Sequence, residues 1–178
     1  MKKILPAAVA LLLSASLAGA ATVTATGTST LSVTVSNEAS ITITTGTTTL
    51  GATGTVFNPY TGTTAFTYKI RTSQTGGSGS IQLEVTTDFA PTGGPSVGTP
   101  PNTGDALTYT CTTASGTACS SAQTASISAQ SNVATFGTDN HSVSTSGDAG
   151  SVTWSLTNDP KYKTGSYSAT ATFTISAT

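Results

Sequence analysis

The chain has 178 residues, of which 7 % are charged, and a formal net charge of −1 at pH 7. Six scattered bases form no patch, so nucleic acid and anionic membrane are disfavoured as partners. A single histidine beside two cysteines leaves little material for a metal centre, and no cofactor is implied.

Residues 1–20 read as an export leader: Lys2 and Lys3, an apolar stretch from Ala7 to Leu13, then Ala18-Gly19-Ala20 as a small-residue cleavage site. The apolar stretch is too short for a membrane anchor, so no membrane insertion is expected. Without the two leader lysines the net charge is −3. The remaining length suits one domain with a real core, secreted or held at the cell surface. Thr and Ser replace charge as the solvating groups, which suits exposed strand faces and lateral association.

Residues 21–36 form a period-2 ribbon. Val23, Ala25, Leu31, Val33 and Val35 share one face, and every even position is Thr or Ser. Cleavage after Ala20 would leave this ribbon as a free N-terminal arm, followed by a domain over residues 37–178. Asn37-Glu38 breaks the ribbon, and residues 39–44 resume it with Ile41 and Ile43 inward. A weak edge strand is expected around Leu50, and a turn at Asn58-Pro59-Tyr60-Thr61-Gly62. Residues 65–71 (Phe66, Tyr68, Ile70 inward) and 80–88 (Ile81, Leu83, Val85 inward) read as a hairpin, with Lys69 or Arg71 able to pair with Glu84.

Residues 89–105 read as a Pro/Gly-rich loop and 106–112 as a strand. Residues 125–129 and 132–136 read as short strands, and 137–150 as a polar loop. In residues 151–157, Val152, Trp154 and Leu156 point inward. The last strand, residues 167–176, places Tyr167, Ala169, Ala171, Phe173 and Ile175 on one face. Seven to nine short strands without helical periodicity predict an all-β fold, an antiparallel immunoglobulin-like or jelly-roll β-sandwich with an N-terminal extended strand. Cys111 and Cys119, an even count in an exported chain, predict a disulfide contributing roughly 2.5 kcal/mol by loop entropy.

The run Lys163-Thr164-Gly165-Ser166-Tyr167 resembles the tyrosine corner that leads into strand F of immunoglobulin-like domains, with Lys163 where an acidic residue is usual. If so, the final strand is F and strand G is missing. In organisation, the N-terminal ribbon with residues 167–175 resembles subunits of donor-strand-exchange pili, secreted fibre proteins whose incomplete sandwich takes the N-terminal extension of the next subunit. The resemblance implies identical subunits as partners, Val23, Ala25, Leu31, Val33 and Val35 as donor positions, and Tyr167, Ala169, Ala171, Phe173 and Ile175 as the acceptor strand. The position of the cysteines departs from the usual pilin disulfide. Burial of Val23, Leu31, Val33 and Val35 could contribute roughly 6–12 kcal/mol before ordering costs. The same ribbon could instead pair within its own subunit as an ordinary first strand.

One other reading stands beside this one. A monomeric secreted adhesin or carbohydrate-binding module, with a glycan or surface receptor as partner, would use an aromatic platform from Tyr60, Trp154 and Tyr162. An enzyme is not expected: His141 lies in a polar loop, and no nucleophile elbow accompanies it, so no catalytic residue is assigned.

Overall fold

The computed structural model describes residues 24–54 and 56–178. Two units make up the chain, one ending at Thr34 and one spanning Val35–Thr178. In the first, residues 24–34 form no helix or strand and are exposed throughout, with Leu31 at 94 % and Val33 at 85 %. Val23 lies outside the described residues.

The second unit is all-β, with no helix among the described residues. Its strands are β1 (Glu38–Ile43), β2 (Gly51–Ala52), β3 (Tyr60–Arg71), β4 (Gly79–Ala90), β5 (Thr108–Thr113), β6 (Thr117–Ala118), β7 (Gln123–Thr124), β8 (Ser131–Phe136), β9 (Asp148–Leu156) and β10 (Ser168–Ala177). The first sheet has the order β1-β3-β9-β5-β7, with β2 beside β3, and the second has the order β10-β4-β8-β6. Every pairing is antiparallel.

Period-2 sequence builds the interior directly. Phe66, Tyr68 and Ile70 of β3 and Val152, Trp154 and Leu156 of β9 face the other sheet. Ile81, Leu83 and Val85 of β4 meet them with Val133 and Phe136 of β8. Gly150, on the inward face of β9, leaves the space that the Phe66 ring occupies, since a Cβ there would lie 2.3 Å from that ring. The two phenols of the core are satisfied: Tyr68 Oη donates to Ser115 O at 2.9 Å, and Tyr109 Oη donates to Asn132 O at 2.9 Å.

The expected hairpin of residues 65–71 with 80–88 does not form. β3 and β4 lie in different sheets and pack face to face, joined by an arch over residues 72–78. An apolar alternation satisfies a hairpin and an arch equally, and a connection longer than a two-residue turn frees the chain to cross between layers. The pairing of Lys69 or Arg71 with Glu84 is lost with it. Arg71 Nη2 instead donates to Glu38 Oε2 at 2.8 Å, and Glu84 sits opposite Thr172.

Three local expectations also change. Tyr60 to Gly62 belongs to β3 rather than to a turn, because Tyr60 and Thr61 pair with β2 on one side and β9 on the other. Residues 125–129 form no strand: Ala125 is buried, while Ile127 points outward at 44 % exposure. Ala169 is exposed and leaves the face of Ala171, Phe173 and Ile175, since the ladder to β4 shifts register between Ser168 and Ala171.

Candidate functional site: an open groove between the sheets

The sandwich is closed on one side and open on the other. On the closed side, Cys111 of β5 in the first sheet is bonded to Cys119, which follows β6 of the second. The turn between them needs Gly116, whose φ is +76° and whose Cβ would lie 2.5 Å from the Phe136 ring. On the other side the edges are β1 and β10, which approach one another at one end only, where Asn37 Nδ2 donates to Ala177 O at 3.1 Å.

Beyond Ile43 the first sheet gives up its edge. The N–H groups of Thr44 and Thr45 both donate to Ala65 O, at 2.9 and 3.2 Å, and the chain then crosses over β3. Gly62 permits this crossing, since a Cβ there would lie 2.6 Å from Thr49 O. Thr48 Oγ1 lies 2.6 Å from Thr64 Oγ1, which accepts from the buried Trp154 Nε1 at 2.8 Å. The result is a wall of residues 45–50 facing β10 across a groove of about 1060 Å³.

Core residues line the groove. Val85, Leu107, Trp154 and Leu156 form its floor, and Ala171 and Phe173 its β10 wall. Phe173 and Ala171 are only half-buried, although they point inward and pack on the core. Among the described strands, β10 pairs with β4 alone, so its other edge offers unpaired backbone N–H and C=O groups. Chemically this site suits an extended segment with apolar side chains on one face, held by strand hydrogen bonds.

One end of the groove is polar. Asn102 Nδ2 donates to Asp105 Oδ2 at 3.0 Å and also to Asp159 Oδ2, while Lys161 Nζ donates to Asn102 Oδ1 at 2.6 Å. The Lys161 N–H donating to Asp159 Oδ1 holds that carboxyl below the usual carboxylate range. Burial, with the Asp105 and Asp159 carboxylates and Tyr60 nearby, pushes the Tyr162 phenol up to about 12, so it stays protonated. Tyr167 Oη donates to Lys163 O at 2.7 Å, the backward hydrogen bond of a tyrosine corner, and fixes the turn into β10.

Of the expected acceptor residues, Tyr167, Ala169, Ala171 and Phe173 line the groove, and Ile175 continues their strand beyond it. Of the expected donor residues, Ala25, Leu31, Val33 and Val35 are exposed. The Cys111–Cys119 disulfide forms, with a Cα–Cα distance of 5.5 Å, and fits an oxidising compartment. Tyr60, Trp154 and Tyr162 line the same groove, with Trp154 only 5 % exposed. His141 lies outside it, exposed, its Nδ1 3.2 Å from Asp139 O. Sequence reasoning missed the wall of residues 45–50, and Ile43, expected inward, is 37 % exposed at the start of that wall. The apolar Leu50 inside a Thr/Gly run is the one signal for that wall. No helix among the described residues is long and apolar enough to cross a membrane. No family model, curated protein or solved structure matches this chain.

Proposed function

We propose that this chain is a secreted structural subunit of an extracellular filament or surface layer, polymerising by strand addition. In this reading the N-terminal arm of one copy fills the groove of the next. The observation that carries the reading is the unfilled edge of β10 beside a groove whose inward-facing Ala171 and Phe173 are only half-buried, in a chain that also presents Leu31, Val33 and Val35 to solvent at 94, 85 and 63 %.

Pattern and reach support it. The odd-position apolar series of the arm continues in phase through Ala39, Ile41 and Ile43, and in β1 that ribbon is already laid on the edge of β3 with Ile41 packed on the core. The groove opens beyond Ile43, at the far end of β1 from Asn37. An arm of the same copy would have to double back along β1, about 20 Å for six residues, whereas a neighbour's arm enters without reversing. Exposed edge strands are otherwise an aggregation hazard, and an added strand removes that hazard.

The arm-deleted chain (residues 21–35 removed) is expected to remain folded and monomeric by size exclusion and negative-stain microscopy, while the intact chain polymerises. A synthetic peptide of residues 21–36 at 100 times its dissociation constant should stabilise the deleted domain by about 2.7 kcal/mol. A peptide carrying Val33→Asp should not. Filaments that persist after the deletion, or a clean intact monomer that instead binds glycan through Tyr60 and Tyr162, would overturn the reading.

A further inference from the structure

The outer face of the first sheet carries a field of hydroxyls without charge. At its centre Thr63, Thr153 and Thr110 stand in register across β3, β9 and β5. The flanking ranks, also in register, hold Ser155 with Thr108, and Ser151 with Thr112. Thr63, Thr153, Thr110 and Thr112 are exposed. The charges on the outer face of this sheet, Glu38, Lys69 and Arg71, gather at one end, past Thr67, while Asp148 of β9 is buried.

We infer that this face is the lateral contact between polymers of this chain, each copy meeting the same face of a second copy. The inference rests on the strand-addition reading, which supplies the repeats. Thr63 Oγ1 lies 3.3 Å from Thr153 Oγ1 and Thr112 Oγ1 2.8 Å from Ser151 Oγ, and since a hydroxyl both donates and accepts, each such pair keeps capacity to bond a like pair on a second face. A face of carboxylates or ammonium groups would repel its own copy. The outer face of the second sheet fails on that ground, because Glu84 stands in the middle of β4 and would be brought against its own copy.

The area decides how the contact works. Three strands at about 4.8 Å spacing and seven residues at about 3.4 Å rise give roughly 340 Å² per copy. A pair of faces therefore buries about 700 Å², below the 1,200–2,000 Å² of stable interfaces. One pair does not hold two monomers together. A row of them along two filaments acts as a multivalent array and bundles them.

Thr153→Lys places a charge in the middle of the field at an exposed site. Filaments of this variant should form normally, but the fraction sedimenting as bundles at low speed should fall at least about tenfold, the weakened contact being multiplied over the repeats. Thr153→Asp filaments should behave alike, and mixing the two variants should restore bundling. Bundling of the Lys variant at the wild-type level, or failure of the mixture to bundle, overturns the inference. If the intact chain forms no filament, strand addition fails while this face is still tested. Beads coated with full-length wild-type chain through a C-terminal His tag should clump and Thr153→Lys beads should not, and wild-type beads that stay dispersed overturn the inference.

Discussion

The two long sides of the sandwich are closed by different means. Between β5 and β6 a covalent bond ties one sheet to the other, across a tight turn at Gly116 that lies against the Phe136 ring. Between β1 and β10 the sheets touch at the Asn37–Ala177 end and then part around a groove lined by the buried Trp154 and Leu156 and by the half-buried Phe173. The polar residues that flank the two sides are alike, mostly Thr and Ser, so composition does not distinguish them. On one side the covalent bond holds the two sheets together, whereas on the other the half-buried, inward-facing Ala171 and Phe173 leave apolar area for a partner. The contrast locates where stability is complete and where it is unfinished.

The largest measurable difference should come from the sealed side. Replacing Cys111 and Cys119 together by Ser should cost the isolated domain about 2.5 kcal/mol in denaturant unfolding, with strand addition at the groove unaffected once the domain is folded. A loss of polymer at conditions where the domain remains folded would break the contrast. A smaller effect is expected at the groove. Phe173→Ala should cost the isolated domain only about 1–2 kcal/mol, less than the 3–5 kcal/mol usual for a buried Phe, because its ring is already partly in water. Its effect on polymer should exceed its effect on the domain. A full core-sized loss in the monomer would mean that the groove is not open in solution.

The smallest effect is acid sensitivity at the polar end. Asp159 is held below the usual carboxylate range by the Lys161 N–H. Burial acts to raise Asp88, but hydrogen bonds from Val97 N–H, Ser96 Oγ, Gly98 N–H and Phe89 N–H outweigh it and leave a net lowering. Groups with depressed folded-state values stabilise the domain above their unfolded value, near 3.9, and lose that contribution as pH falls through the folded value. Unfolding midpoints should therefore be flat from pH 7 to pH 5 and decline below pH 4. Asp159→Asn should shrink that decline, and an unchanged acid profile would remove Asp159 from the account.

Much of the strand content was legible in the sequence. Alternation marked β3, β4, β9 and β10, and the even cysteine count marked the disulfide, because side-chain period and redox chemistry are local properties. Partner choice was not legible. Phe66-Tyr68-Ile70 and Ile81-Leu83-Val85 present the same pattern whether the strands pair or stack, and only the packing of β3 between β1 and β9 decides it. The groove was half legible: Tyr167 and Phe173 were marked by alternation, whereas the opposite wall depends on Gly62 admitting the backbone of Thr49, a close approach with no periodic signature. Ala169 left its face because of a register shift, which alternation cannot express.

The hydrogen bond from Asn37 to Ala177 holds the entrance of β1 beside the exit of β10. A short linker could therefore join the last residues of the domain to Asn37, and new ends could be cut at the exposed Thr145 and Ser146, past the Arg71–His141 bridge and the Ser142 N–H bond to Ile70 O. A circular permutant of this kind would lack the arm and carry any fused cargo on a loop.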